Sequence, residues 1–252
     1  MNYFNLLHKT NKLSVAFETN GKGFIGFVVE LPGAFVRGKT EGEALSKINI
    51  EVNSYLRWLG YSKTHNFEFQ VIQRHSSNLM VEDADNEILL DADREYLDEK
   101  EFKELLNLVH YSGVSFFSLY ESSVFKDWVD EPRIRKTFYG ENPKTIQEIF
   151  NHVSRTQYYY LSRIKLKFSE EETDFLKIRE MCLLEFSKIF YGSNNLLVYY
   201  IDEESWTIRK VLRRFIWHDR IHAKAITRIL EKQKQSGMIR EHIDPFYFLN
   251  SF

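Results

Sequence analysis

Two periodicities divide the chain. Up to about residue 75 the apolar positions come in short runs and alternations; from about residue 98 they recur at gaps of three and four. LSVAFE (13–18) and GFIGFVVE (23–30) are rich in β-forming residues and flank TNGK, a turn sequence, so two strands are expected. LPGAFVRGKT (31–40) adds a Pro-Gly turn and a short strand around Ala34–Arg37. Thr40, with Glu43 three places on, opens a capping box. The helix that follows runs to about Leu59, with Ala44, Ile48, Val52, Tyr55 and Leu59 on one face and Gly60 as its stop. FEFQVIQ (67–73) alternates as a half-buried strand does. The expected order is ββ(β)αβ.

Beyond this unit, residues 82–101 carry ten acidic residues against two basic ones, Arg94 and Lys100. Such a run reads as a solvated linker, with one short strand at ILL (88–90). The helical pattern then begins. Phe102, Leu106, Val109, Gly113, Phe116 and Tyr120 share one stripe. Asp130–Pro132 and Gly140–Pro143 interrupt. Thr145–Ile164 forms a second helix, with Ile146, Ile149, Val153, Tyr160 and Ile164 apolar. A third runs from about Glu172 to Phe190 through Phe175, Ile178, Cys182 and Ile189. The fourth covers Ser205–Gln235, capped by Ser205 and anchored by Trp206. Four amphipathic helices with modest connections suggest a four-helix bundle. The expected class is α+β: a small α/β domain over 1–75, an acidic linker over 76–97, and a bundle over 98–252.

Composition narrows the function classes. Hydrophobic residues make up 43% of 252, enough for a sizeable core. Lys and Arg (34) nearly balance Asp and Glu (36), which argues against a dedicated nucleic-acid binder. The one cysteine, Cys182, precludes an internal disulfide, as expected for a reducing cytoplasm. The N-terminus lacks the apolar segment of a signal sequence, and no apolar run approaches the ~20 residues of a membrane span.

Candidate chemistry lies on the last helix. Val211, Phe215, His218, His222, Ala225 and Ile229 repeat at gaps of 4, 3, 4, 3 and 4, so two imidazoles occupy the core stripe. Residues i and i+4 stand one above the other, and such a pair can converge on one ion. The alternative is two core histidines bonded to backbone or side chains. A third ligand is offered by His152, between Ile149 and Val153; His110 lies off its helix's stripe. Three imidazoles would leave open positions on an ion, the layout of a reactive rather than a closed structural site. Zinc, nickel and iron all accept imidazole. Gly113, costly in mid-helix, leaves room either for such a pocket or for a close helix crossing.

Over roughly residues 95–252, and above all in TIQEIFNHV (145–153) and WTIRKVLRRFIWHDRIHAKAI (206–226), the sequence resembles the DinB/YfiT-like superfamily of four-helix bundles. The resemblance implies a divalent metal on His152, His218 and His222. It also implies a homodimer and an enzyme of the thiol-dependent S-transferase type, with a low-molecular-weight thiol as cosubstrate. The first domain resembles the HicB-like antitoxin fold through GFIGFVVELPGAFVRGKTEGEAL (23–45). It departs from that pattern at Ala34, where members often carry Cys, and the DNA-binding segment that usually follows is replaced by the bundle. A non-enzymatic binding or dimerisation protein and an antitoxin or regulator with a toxin partner are the rival readings. A small-molecule substrate is expected, with neither nucleic acid nor membrane as partner.

Other residues carry weaker expectations. Glu148, one turn before His152, can orient that imidazole, act as a base, or face solvent. Asp219 points about 100° from His218 and is expected to pair with Arg213, Arg214 or Arg220 rather than ligate. Arg213 and Arg214 read as helix-surface charges and Cys182 as a core residue. The tyrosines of QYYYLSR (157–163) either line the pocket or pack in the core.

Overall fold

The computed structural model describes residues 11–137, 140–166, 172–192 and 196–249. The first ten residues, part of the segment read above for a signal sequence, lie outside them. The molecule is mixed α+β. Strands β1 (Lys12–Thr19), β2 (Phe24–Val28), β3 (Phe35–Gly38) and β4 (Glu68–Ser76) form one sheet in the order β3-β2-β1-β4. β1 and β2 pair antiparallel, as do β2 and β3, while β4 returns parallel to β1. The β1–β2 turn is held by Asn20, whose Oδ1 accepts the Lys22 and Gly23 amides.

The connection from β3 to β4 is helical in two pieces, α1 (Glu41–Leu45) and α2 (Ile48–Trp58), where one helix was expected. The break falls at Ser46–Lys47. There the Ser46 hydroxyl donates to the Glu43 carbonyl and the Lys47 amide reaches back only three residues, to Ala44. The capping box forms in part, since the Glu43 carboxylate accepts the amide of Lys39 rather than that of Thr40. Thr40 caps α1 through the Glu43 amide, and Gly60, at φ +88°, ends the helical segment.

Both faces of the sheet are buried, which explains why GFIGFVVE is apolar almost throughout rather than alternating. Val15, Phe17, Val28 and Val36 face α2 and the main core. Ala16, Ile25, Phe27 and Phe35 pack instead on Val81, Ile88, Leu90 and Trp217. The acidic segment is therefore no solvated linker. Its apolar residues cover the second face of the sheet, with short 3-10 turns at Val81–Asp83 and Asp91–Arg94 and no strand at 88–90. Its charges are used as well: buried Asp93 pairs with Arg213 at 2.6 Å.

Four long helices follow: α3 (Glu99–Glu121), α4 (Ile146–Ser162), α5 (Phe175–Gly192) and α6 (Ile208–Gln235). α6 packs beside α3 and α4, and α5 packs beside the same two. Short antiparallel pairs β5 (Lys136–Thr137) with β6 (Gly140–Glu141), and β7 (Tyr199–Ile201) with β8 (Glu204–Trp206), fill two connections. Ser205 belongs to β8 and does not cap α6. The cap is Thr207, whose hydroxyl accepts the Lys210 amide at 3.1 Å.

Sheet and helices share one continuous core. Trp58 of α2 is buried and donates from Nε1 to Ser115 of α3 at 3.0 Å. The Leu-Pro-Gly turn sits directly on α6: Gly33 has φ +89°, and a Cβ there would lie 2.9 Å from the Trp217 amide nitrogen. Only glycine satisfies both demands. Among the described residues, no helix is long and apolar enough to cross a membrane.

Candidate metal centre

α4 and α6 bring three imidazoles together. Ile149 and Val153 bury one face of α4, and His152 projects from beside them toward α6. On α6, His218 and His222 stand one turn apart with ring centroids 4.4 Å from each other. His152 lies 5.1 Å from the His218 ring and 4.7 Å from the His222 ring. One ring nitrogen from each of the three residues falls within 4.8 Å of the other two. The shortest contact, 3.2 Å, joins His152 Nε2 to His218 Nε2. It is a hydrogen bond when one ring carries its proton at Nε2. The same separation suits two nitrogens each ~2.1 Å from a single ion. His110, the poorer candidate, is exposed elsewhere on α3.

Electrostatics favour the neutral rings that metals bind. Burial pushes the His218 pKa well below the ordinary histidine value, and His222, His152, Arg214 and Arg179 push it the same way. Burial lowers His152 too. His218 is buried, whereas His152 and His222 are half-buried and border a cleft of about 870 Å³. Tyr160 forms part of that wall, its ring edge-on to His218 at 5.6 Å, and Tyr159 lies beside it. Glu148 also borders the cleft, but its carboxylate accepts the Lys144 amide at 2.8 Å and its own amide donates to Thr145. It stabilises the start of α4 rather than joining the three-imidazole group.

The charged residues of α6 are placed differently from expectation. Asp219 pairs with Arg179 of α5, at 2.8 Å, and not with an arginine of its own helix. Ser112 and Gln157 complete a buried network around that pair. Gly113 is explained by the same network. A Cβ there would come within 2.7 Å of Arg179 Nη1, so the space serves neither the metal pocket nor bare helix contact. Arg213 and Arg214 are not surface charges: they are 4% and 7% exposed. Arg213 pairs with Asp93, Arg214 binds Asn86 and lies over the Trp217 ring, and Arg220 pairs with Glu51. Cys182 is buried, as expected, and burial raises its thiol pKa to about 12, so it is no ready nucleophile.

No protein-family model, curated protein or solved structure matches this chain.

Lys210, Arg214, His218 and His222 recur every fourth residue, so a polar seam runs along one side of α6. Lys210 closes its lower end, with its ammonium bonded to Glu204, the Glu87 carbonyl and the Ser205 carbonyl. A second group of potential ligands, Glu18, His75 and Glu87, lies beside the sheet. There Glu18 is fully buried and accepts the amides of Glu87 and Ile88, while His75 meets Glu87 at 3.3 Å. Those bonds account for the cluster as a clamp between β1 and the 81–94 strap.

Proposed function

We propose that this chain is a DinB/YfiT-like metal protein, in which His152, His218 and His222 hold one divalent ion, and that it acts as a thiol-dependent S-transferase. The observation that carries the reading is the convergence of three imidazoles, one buried and two half-buried, from two helices onto a cleft. Three nitrogen donors fit zinc, nickel or iron and leave coordination positions for other ligands. A bound ion supplies Lewis acidity, lowering the pKa of a thiol or water brought to it. The protein's own groups do the rest. Burial disfavours protonation of His152 and His218, Arg214 adds to this at His218, and α4 and α6 fix the spacing of the three rings. Tyr160 and Trp217 wall the cleft, and the Arg179–Asp219 pair braces α6 one residue from His218.

The cobalt-loaded protein tests the thiol assignment. Adding a small thiol such as N-acetylcysteine is expected to produce the strong near-ultraviolet absorption of a thiolate–cobalt pair, and His218→Ala is expected to abolish it. A cobalt spectrum unmoved by thiol would refute the transferase reading while leaving the metal site intact. A non-enzymatic binding role for the sheet domain is the rival reading, and it is the one that such a result would favour.

A further inference from the structure

A second cleft, of about 690 Å³, lies on the other side of His222. Its walls come from β3, α1, the 81–84 turn, Arg135 and the outer half of α6. It shares Ile221, His222, Asp83 and Ala84 with the cleft described above. The two differ in charge. The first is lined by six carboxylates against two guanidinium groups, the second by seven Lys and Arg side chains against four carboxylates. Several of these cations are matched: Lys47 by Glu43, Lys224 by Glu51 and Arg135 by Asp83.

The other four, Lys22, Arg37, Lys39 and Arg228, make no ion pair among the described residues, and two of them are guanidinium groups. The Arg37 side chain makes one hydrogen bond, a 3.3 Å contact from Nη1 to the Glu82 carbonyl, and no ion pair among the described residues. Arg228 makes neither a hydrogen bond nor an ion pair among the described residues. The Arg37 pKa is lowered by burial first, and then by the positive charges of Arg228 and Arg135, with Asp83 opposing them. Nearby like charges are unfavourable unless an anion sits among them, and planar guanidinium forks match oxyanions.

We propose that this cleft binds the oxyanion group, phosphate or carboxylate, of a small molecule through Arg37, Arg135 and Arg228. A volume of this size is in the ~300–1,000 Å³ range of small-molecule sites. A ligand anchored there presents its other end to the wall formed by His222. That orientation would deliver an anionic reactant to the three-imidazole site from the side opposite the acidic cleft. The delivery step rests on the metal reading above; the oxyanion contact does not.

Calorimetric titration of the full chain with inorganic phosphate, and separately with citrate, tests the contact at constant ionic strength. The two probes distinguish a phosphate site from a carboxylate site. Saturable binding of at least one is expected, weakened about 10-fold or more in Arg228→Gln and in Arg37→Gln. Arg228 is exposed, so its substitution does not threaten the core. Arg155→Gln, in the other cleft, is expected to leave the affinity unchanged. Binding is expected to survive removal of metal by a chelator, so loss of the metal reading would not remove this one. Absence of saturable binding by both probes would overturn the proposal, as would equal affinity in wild type, Arg228→Gln and Arg37→Gln.

Discussion

At the scale of single residues, what decides the site is desolvation. His218 keeps its ring neutral because burial and flanking cations make protonation unfavourable. The three histidines were legible in the sequence because each lies on or beside an apolar stripe, and stripes register which side of a helix turns inward. Asp219 was not legible. Its partner, Arg179, is 40 residues away on another helix, and nothing local to either residue announces the pair. Both side chains are 1% exposed. Removing the carboxylate leaves an uncompensated buried guanidinium, so Asp219→Ala is expected to cost about 3–5 kcal/mol. Urea denaturation of the variant would measure it, and a change well below 1 kcal/mol would mean that the pair is not the brace described here.

At the scale of elements, α6 carries most of the molecule's logic. It supplies two of the three imidazoles, packs on α3 and α4, and reaches the far face of the sheet through Trp217. The sequence gives its length closely but misplaces its start. Ser205 and Thr207 are both acceptable caps, and only the β7–β8 hairpin, which takes Ser205 into a strand, selects Thr207. Thr207→Ala is expected to lower stability by about 1 kcal/mol, with Ser205→Ala nearly neutral. Thermal unfolding of the two variants decides it; the reverse order would return the cap to Ser205. The 81–94 strap is hidden in the sequence for a different reason. Its acidic density masks Val81, Ile88 and Leu90, which are spaced too irregularly to signal a strand or helix, yet together cover a sheet face. The burial of Arg213 and Arg214 is hidden with it, because Asp93 and Asn86 of that strap are their partners.

At the scale of the whole molecule, sheet and bundle form one body with a common core, and the three-imidazole site lies where two clefts of opposite charge meet. Such a site should take up metal without first shedding protons at neutral pH, because two of its ligands are already held neutral. The sign of the pH dependence follows. These histidines have folded-state pKa values below the unfolded value of about 6.5, so the unfolded chain binds more protons as pH falls through that value. Apo stability therefore declines as pH falls below about 6.5, toward the depressed folded-state values. Metal uptake weakens over the lower part of that range, as the ligands themselves protonate. The most direct measurement is the metal content of the untagged chain after dialysis against zinc or nickel at pH 7.5, beside His218→Ala and His222→Ala. The account expects about one ion per wild-type chain and little in either variant. A folded wild-type protein that takes up no metal, or variants that retain it fully, would contradict the account.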